Sequence, residues 1–277
     1  MQTIPFSKMS GSGNDFVLID NREGVLADVP LTDFIRNVCR RKMSVGADGM
    51  ILIETAAELD FQWRFYNSDG SRAEMCGNGA RCAARYAYLN GIAGAKMVFG
   101  TDAGPIQATV NVNDGRVKIG MTPPLDYRPP FVLTIDGRAV EMSAINTGVP
   151  HVVITVDDIE SAPVTDLGRA VRQHPEFSPA GTNVNFTCSL GPRKMAIRTY
   201  ERGVENETLA CGTGSVAGAL IHALQTGADS PTDMITRSGN RLTIYHEIVD
   251  NNCRSVYLEG DARMICSGSL TPDAWQY

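Results

Sequence analysis

The 277-residue sequence lacks any apolar segment long enough to cross a membrane. Its longest apolar runs, such as residues 50–53, hold about four or five residues, and a spanning helix needs about 20. The chain begins without a basic stretch followed by an apolar one, so we predict no signal peptide and a cytoplasmic location. Dense Lys/Arg runs are also missing and the formal net charge is −6, which argues against a nucleic-acid partner.

Metal-binding patterns are missing as well. There are only four histidines, without HxxxH spacing. The seven cysteines stand at positions 39, 76, 82, 188, 211, 253 and 266, without CxxC spacing. An odd number in this arrangement fits neither a zinc site nor a secreted disulfide framework. We therefore predict no metal, and we expect most of the cysteines to be buried, unreactive thiols.

What the sequence does contain is an internal repeat. Four pairs of segments recur in the same order at offsets of 133 to 135 residues. The pairs are 32–38 with 165–171, SGNDFVLID with TGVPHVVIT, VGAD with AGTN, and CGNG at Cys76 with CGTG at Cys211. This order predicts two homologous domains, 1–121 and 122–267, divided near the proline-rich segment 122–130. We expect the last segment, about 268–277, to pack on the first domain.

The two copies share one predicted order of strands and helices. Helices are predicted over 31–42, capped by Thr32, and from about Asp166. A second pair is predicted over 77–89 and 212–225, and both are apolar nearly all round, as buried helices are. The chain is therefore predicted to be an α/β (α+β) protein of two pseudo-symmetric domains. In each, a curved mixed or antiparallel sheet wraps around one central helix.

Each CGxG motif is predicted to stand where a strand ends and a buried helix begins. The first amides of a helix have no intrahelical partner and carry partial positive charge, which stabilises a thiolate. The glycines leave those amides open to a second anion. A single cysteine at such a place could be a small N-cap residue and nothing more. Two equivalent ones, if the copies face each other, could serve as base and acid on opposite faces of one stereocentre.

Three long motifs resemble the diaminopimelate epimerase family. They are FSKMSGSGNDF at 6–16, YNSDGS leading into MCGNGARC at 66–82, and YERG leading into ACGTG at 200–214. The resemblance spans both halves in order and covers essentially the whole chain. It implies interconversion of LL- and meso-2,6-diaminopimelate without pyridoxal phosphate or any other cofactor, for lysine and peptidoglycan synthesis. It implies a small-molecule substrate. The lack of long apolar runs argues against a membrane partner, and for the oligomeric state, which the sequence leaves open, we prefer a homodimer.

The resemblance also implies roles for individual residues. Cys76 and Cys211 are the acid/base pair, one thiolate and one thiol in each direction. His151 and Glu201 lie beside the cysteines, where they assist proton movement or orient the substrate ammonium. Arg202 suits the distal carboxylate through its bidentate guanidinium. The substrate-binding residues are Asn14, Asn67, Gly77, Asn78, Asn183, Glu201, Arg202, Gly212 and Thr213.

Two departures and two alternatives accompany this interpretation. Some family members carry Gln at Gly49 and Asn at Val149, so this chain lacks two side-chain donors expected in the pocket. One alternative is a related racemase of proline, hydroxyproline or histidine, although the proline type shows CGHG where this chain has CGNG. The other is a thiol switch in which the two CGxG cysteines form a disulfide on oxidation. It leaves the Asn and Arg residues unexplained.

Overall fold

The computed structural model describes residues 3–250 and 252–277. The chain divides into two compact units. Unit 1 contains the residues up to Ile119 together with Gly260–Tyr277, and unit 2 contains Gly120–Glu259. The C-terminal part of unit 1 is therefore longer than the segment 268–277 suggested by the sequence.

The elements are named in chain order. Unit 1 begins with β1 (Ile4–Gly11), β2 (Asn14–Asp20), α1 (Leu31–Cys39), β3 (Gly49–Glu54), β4 (Phe61–Asn67), β5 (Arg72–Ala73), α2 (Gly77–Leu89), β6 (Lys96–Thr101), β7 (Gly104–Val110) and β8 (Val117–Gly120). Unit 2 contains β9 (Leu125–Ile135), β10 (Arg138–Asn146), β11 (Pro150–Thr155), α3 (Val164–Arg172), β12 (Asn183–Gly191), β13 (Lys194–Glu201), β14 (Asn206–Thr208), α4 (Gly212–Thr226), β15 (Thr232–Ile235), β16 (Arg241–Val249) and β17 (Asn252–Gly260). The chain closes with β18 (Arg263–Leu270). Short 3₁₀ helices occupy Pro175–Phe177 and Pro272–Ala274.

The two units repeat one pairing scheme. In unit 1, β1 pairs antiparallel with β18 and β2, β2 pairs parallel with β3, β3 antiparallel with β4, β4 parallel with β6, and β6 antiparallel with β7. In unit 2 the same order of antiparallel and parallel pairings joins β9, β10, β11, β12, β13, β15 and β16. The predicted fold class is confirmed. The last strand, β18, belongs to unit 1 because it pairs with β1. In unit 2, β9 pairs with β10 in the same way.

The central helices are buried because their sides carry small apolar residues. Helix α2 packs against β1, β2, β3 and β7, and α4 packs against the corresponding strands of unit 2. Ala80, Ala83 and Ala87 on α2 are fully buried, as are Val216 and Leu220 on α4. Each sheet is covered on its other face, in unit 1 by Phe34, Ile35 and Val38 of α1 over the strands. Each sheet therefore has an inner face toward its central helix and an outer face toward a shorter one.

Helix α2 has the predicted bounds, but α1 does not. We expected α1 to be capped by Thr32 and to reach Lys42, whereas it begins after Pro30 and ends at Cys39. The carbonyl of Pro30 accepts the first helical bond from Phe34 N at 2.9 Å. At the other end Lys42 has a φ of 70°, which a helix cannot accommodate. The amide of Ala47 donates to Cys39 O at 3.0 Å, so the returning chain takes the place of a further helical turn.

The helices of the described segments are short. The longest, α4, has 15 residues. Within 3–250 and 252–277, none is both long and apolar enough for a membrane span.

Candidate active site

The two CGxG cysteines occupy the same structural position in their units. Cys76 is the N-cap of α2 and Cys211 is the N-cap of α4, and both have extended backbone. The first helical hydrogen bonds run from Ala80 N to Cys76 O at 2.8 Å and from Ser215 N to Cys211 O at 3.0 Å. Each cysteine therefore immediately precedes the first amides of a buried helix, where the peptide dipoles favour negative charge. Cys76 is partly exposed, and Cys211 is buried.

In unit 1 two predicted substrate-binding residues are joined by their side chains. Asn78, on the first turn of α2, donates to Asn14 Oδ1 at 2.7 Å, and Asn14 donates in turn to Asp48 Oδ2 at 3.0 Å. Asn67 is the last residue of β4 and is exposed, with its amide donating to Ser71 Oγ at 3.0 Å. The structure thus links Asn14 with the helix that begins at Gly77. It gives Asn67 a separate place, at the turn that follows β4.

A fully buried arginine supports this first turn. Arg81 Nη2 donates to Asn78 Oδ1 and to Ser12 Oγ, both at 2.8 Å, and Nη1 donates to Gly77 O at 3.2 Å. Ser12 Oγ donates to Asp261 Oδ1 at 2.7 Å, which brings a carboxylate close to the guanidinium. Burial lowers the pKa of Arg81, and the charge of Asp261 opposes that shift. The arginine therefore ties the loop after β1 and the residue after β17 to the start of α2.

In unit 2 the first turn of α4 surrounds the sulfur of Cys211. Gly214 N donates to Cys211 Sγ at 3.4 Å, and Thr213 Oγ1 lies 3.5 Å from the same sulfur. Thr213 O accepts from Thr147 Oγ1 at 3.0 Å, which fixes the turn against the loop after β10. An N–H group directed at the sulfur stabilises the thiolate relative to the thiol.

His151 lies among polar side chains on the inner face of the unit 2 sheet. Asn185 Nδ2 lies 3.1 Å from His151 Nδ1, and Thr199 Oγ1 donates to Asn185 Oδ1 at 2.9 Å. The three residues come from the adjacent strands β11, β12 and β13. Burial, followed by the positive charge of Arg202, lowers the pKa of His151 to about 3. The imidazole is therefore neutral over the physiological range.

The remaining predicted residues of unit 2 lie where β12 begins and where β13 ends. Asn183 Nδ2 donates to Pro150 O at 3.2 Å, and Arg202 N donates to Asn183 Oδ1 at 2.9 Å, so this amide joins two strands to the turn. Burial raises the pKa of Glu201, although Thr208 Oγ1 donates to its Oε2 at 2.8 Å. The Arg202 guanidinium donates to Ala180 O at 3.3 Å. A carboxyl with a raised pKa and a partly exposed guanidinium thus adjoin at the end of one strand.

The two departures from the family pattern have different surroundings. A Cβ at Gly49 would lie 2.5 Å from Tyr66 O and 2.8 Å from the Phe65 ring, so the adjacent strand fills that space. Val149 is partly exposed in the loop before β11, where Thr147 N donates to its carbonyl at 3.2 Å. Gly49 is therefore required by packing in this chain.

The cysteines outside the CGxG motifs differ in exposure. Cys39, Cys82 and Cys188 are buried, and burial raises the pKa of Cys39 and of Cys82 to about 12. These two thiols are inert at neutral pH. Four of the seven cysteines are buried, in agreement with the expectation for most of them, and Cys266 on β18 is exposed. Over residues 3–250 and 252–277, no group of three His, Cys, Asp or Glu side chains could hold a metal ion.

Several supporting residues were missed in the sequence. They are Ser12, Arg81, Thr147, Asn185, Thr199 and Asp261. Arg81 lies in the MCGNGARC motif and Asn185 in the segment NVNF, but the sequence patterns assign a role to neither. Their signal is a polar residue in a segment that is otherwise predicted to be buried, and such a residue needs a hydrogen-bonding partner. Two of the partners of Arg81, Ser12 and Asp261, lie at distant positions in the chain.

Comparison with known proteins agrees with the motifs. The sequence model of the family described as diaminopimelate epimerase matches residues 6–125 and 143–265. The diaminopimelate epimerase of Aquifex aeolicus (strain VF5) is 47% identical over 283 residues, covering 99% of this chain and 100% of that protein. The diaminopimelate epimerase of Archaeoglobus fulgidus is 39% identical over 285 residues, covering 99% of both proteins.

Solved structures share the fold at low sequence identity. A Bacillus anthracis phenazine biosynthesis protein of the PhzF family has a TM-score of 0.74 at 16% identity, covering 98% of this chain and all, 100%, of that one. A hydroxyproline epimerase from Agrobacterium vitis has a TM-score of 0.68 at 13% identity, covering 99% of this chain and 97% of that one. These two structural similarities establish the fold, and the family model and the sequence relatives establish the family. The chain belongs to the diaminopimelate epimerase family.

Proposed function

We propose that this protein interconverts LL- and meso-2,6-diaminopimelate by a two-base mechanism without pyridoxal phosphate. The observation that carries the proposal is the pair of cysteines at equivalent helix N-termini, Cys76 on α2 and Cys211 on α4. Family membership supplies the substrate, and the paired thiols supply the chemistry. The cytoplasmic location, the homodimer and the absence of other partners stay predictions.

In the proposed reaction one cysteine thiolate removes the proton from the substrate Cα. The electron pair left on Cα is delocalised into the adjacent carboxylate, and the thiol of the other cysteine then delivers its proton to the opposite face. Configuration at Cα is inverted, and the two sulfurs exchange protonation states. The next turnover in the same direction requires that they exchange a proton with solvent.

The main difficulty is charge on the carboxylate. An amino-acid Cα–H is a very weak acid, and no pyridoxal ring withdraws the electrons. We propose that the first amides of α2 and α4, after Cys76 and Cys211, bind this carboxylate and stabilise its growing charge. Losing one such donor typically costs about 10²- to 10³-fold in rate. The glycines after each cysteine allow the carboxylate oxygens to approach the backbone closely.

Substrate recognition is proposed to be shared by the remaining residues. Arg202 binds the distal carboxylate, and Glu201 binds an ammonium group when it is ionised. Asn14, Asn67 and Asn183 bind other polar groups of the substrate. Asn14 and Asn183 already have structural hydrogen bonds, which hold their side chains in fixed orientations.

The test is incubation of the reduced protein with LL-diaminopimelate in D₂O, following stereochemistry and deuterium at Cα. Wild type should form the meso isomer with solvent deuterium in the product. Cys76→Ala and Cys211→Ala should each lose epimerisation, since inversion needs both the base and the acid. Cys266→Ala, on an exposed strand, is the matched control and should retain activity. Exchange with proline but not with diaminopimelate would contradict the proposed substrate and keep the two-base chemistry.

A further inference from the structure

The polar group around His151 has no counterpart in unit 1. Matching strand registers place Phe16 where unit 2 has His151, Ile51 where it has Asn185, and Phe65 where it has Thr199. In unit 1 this position is apolar, with the rings of Phe16 and Phe65 in edge contact at 5.9 Å. The pairing scheme therefore does not require polar side chains here, and the ones in unit 2 call for another explanation.

The orientation of the Asn185 amide is determined by its neighbours. Asn185 Nδ2 donates to Val152 O at 2.9 Å, and a backbone carbonyl can only accept. Rotating the amide by half a turn would place two acceptor oxygens against each other at this point. On its other side Oδ1 accepts from Thr199 Oγ1 at 2.9 Å. The nitrogen of the amide is therefore the atom that faces the imidazole.

This orientation determines where the imidazole hydrogen is. Asn185 Nδ2 lies 3.1 Å from His151 Nδ1 and has a second hydrogen to donate, so that ring nitrogen must accept. A neutral ring then has its hydrogen on Nε2. We propose that Asn185 is a positioning residue that holds His151 as the neutral Nε2–H tautomer. His151 then donates a hydrogen bond to a carboxylate of the substrate and does not act as a base.

Two further observations agree with a donor role. His151 is 1% exposed, and its Nε2 has no hydrogen-bonding partner in the described part of the chain. A buried N–H group of this kind is expected to meet an acceptor when a ligand binds. In addition, the pKa of His151 is lowered to about 3 by burial and by Arg202, so an imidazolium is not available as an acid at neutral pH.

The site of His151 is tied to the start of α4. A Cβ at Gly214 would overlap Asn185 Oδ1, so the first turn of α4 packs directly on the Asn185 amide. Gly214 is also the residue whose N–H donates to Cys211 Sγ at 3.4 Å. One amide side chain therefore contacts both the histidine and the helix turn that holds the cysteine. The inference rests on the proposed function for the identity of the acceptor, because a carboxylate is the anionic group that diaminopimelate offers.

This role differs from the two that the sequence suggested for His151. An Nε2–H group cannot accept a hydrogen bond from the substrate ammonium, and it has no free lone pair to take a proton from a thiol. Orientation of the ammonium is then left to carboxyl and amide oxygens. Proton transfer is left to the two cysteines.

The decisive measurement is the tautomer of His151 in the ligand-free wild-type protein, by long-range ¹H–¹⁵N NMR correlation of the imidazole. The four histidines make the spectrum small, and His151→Gln assigns the resonances. We expect a pyrrole-type Nε2 and a pyridine-type Nδ1, unchanged from about pH 8 to about pH 5. An Nδ1–H tautomer or an imidazolium at neutral pH would overturn the inference. This result does not depend on the substrate, so failure of the D₂O experiment above remains a separate outcome.

Two variants test whether the tautomer matters for activity. Asn185→Leu removes the donor to Nδ1 and should release the single tautomer, with kcat reduced by about 10- to 100-fold and KM changed less. Thr199→Val removes only the hydroxyl beyond the amide and should leave the Nε2–H tautomer in place. If Asn185→Leu loses the tautomer but keeps its kcat, the donor role is wrong. If it does not fold, the wild-type spectrum and the shift of its Hε2 resonance on adding diaminopimelate decide, and an unshifted resonance counts against the inference.

Discussion

Units 1 and 2 share one order of strand pairings, but they differ in where their buried polar residues lie: on the central helix in unit 1 and on the sheet in unit 2. In unit 1 the polar residues belong to the helix, where Asn78 and Arg81 of α2 are buried against a sheet face that carries Phe16 and Ile51. In unit 2 the helix is apolar, with Val216 in the position of Arg81, and the polar residues His151, Asn185 and Thr199 lie on the sheet. The duplicated plan therefore constrains strand pairing and the two N-cap cysteines, and it leaves each helix–sheet interface free to diverge.

The divergence suits the proposed reaction, which is symmetric in its two proton transfers and asymmetric in its substrate. Both faces of Cα need a thiol beside helix amides, and both units provide one. Only one end of the bound molecule reacts, so the groups that distinguish its ends do not need to be duplicated. His151, Glu201 and Arg202 all belong to unit 2, consistent with this division.

The largest expected effect comes from removing the buried cation of unit 1. Arg81→Met leaves Ser12 Oγ, Asn78 Oδ1 and the Asp261 carbonyl without their shared donor. Each buried acceptor left unsatisfied costs about 1 to 3 kcal/mol in the free energy of unfolding. Urea denaturation measures this loss. Arg36→Met on α1 is the control, because Arg36 is exposed and its pair with Asp33 is worth at most about 1 kcal/mol. Equal losses in the two variants would show that the network does not stabilise α2.

An intermediate effect is expected from the equivalent glycines of the two first turns. In Gly214→Ala the new methyl group overlaps the pinned Asn185 amide, so we expect a loss of about 1 to 3 kcal/mol from overpacking and a lower kcat. In Gly79→Ala the nearest atom is Ile51 Cδ1 at 3.3 Å, and an apolar side chain can yield slightly. Thermal unfolding and the deuterium assay compare the pair. A larger loss of stability in Gly79→Ala than in Gly214→Ala would contradict this difference between the two helix–sheet interfaces.

The smallest effect is on the pH dependence of stability. The pKa of His151 is lowered from 6.5 to about 3, so between these values the unfolded chain binds a proton that the folded protein does not. Stability should therefore be complete above pH 6.5 and fall as the pH is lowered, by up to about 1.4 kcal/mol per pH unit. In His151→Gln this contribution is absent.

Denaturation between pH 6.5 and about pH 5, above the ordinary carboxyl range, is the appropriate comparison. His222→Gln, at a partly exposed position of α4, is the matched control variant. A wild-type slope in His151→Gln would mean that the imidazole is not held neutral. Unit 1 offers an internal contrast, because Phe16 at the matching register position does not titrate.

Much of the fold follows from local signals in the sequence. Gly77–Leu89 was predicted with correct ends because the chain leaves the helix at Asn90 and reverses at Gly91, whose φ is 66°. The end of α1 was missed because it depends on carbonyls that accept from the returning residues Gly46 and Ala47. The N-cap at Pro30 was missed because Thr32 fits the residue preferences of an N-cap and proline does not. Signals within one turn were readable, and those that depend on later parts of the chain were not.

The alignment of the two copies shows the same limit. Matching VGAD with AGTN gives an offset of 135, which pairs Ile51 with Phe186. The strand registers instead make Ile51 equivalent to Asn185, one residue earlier. In unit 1 Phe16 pairs with Gly49, and in unit 2 the equivalent His151 pairs with Asn183. A slip of one residue moves a side chain to the other face of a sheet. The polar group around His151 was therefore invisible in the sequence comparison.

The sequence by itself determined the duplication, the two buried helices and the cysteine at the start of each. These features follow from repeated motifs and from helices made mostly of small and apolar residues, and both can be read along the chain. Only the tertiary structure decided that Arg81 bonds to Ser12 near Asp261, that β18 pairs with β1, and that Asn185 faces His151. Each of these depends on bringing together residues that are far apart in the chain, and strand register and burial, more than local propensity, determine which groups meet.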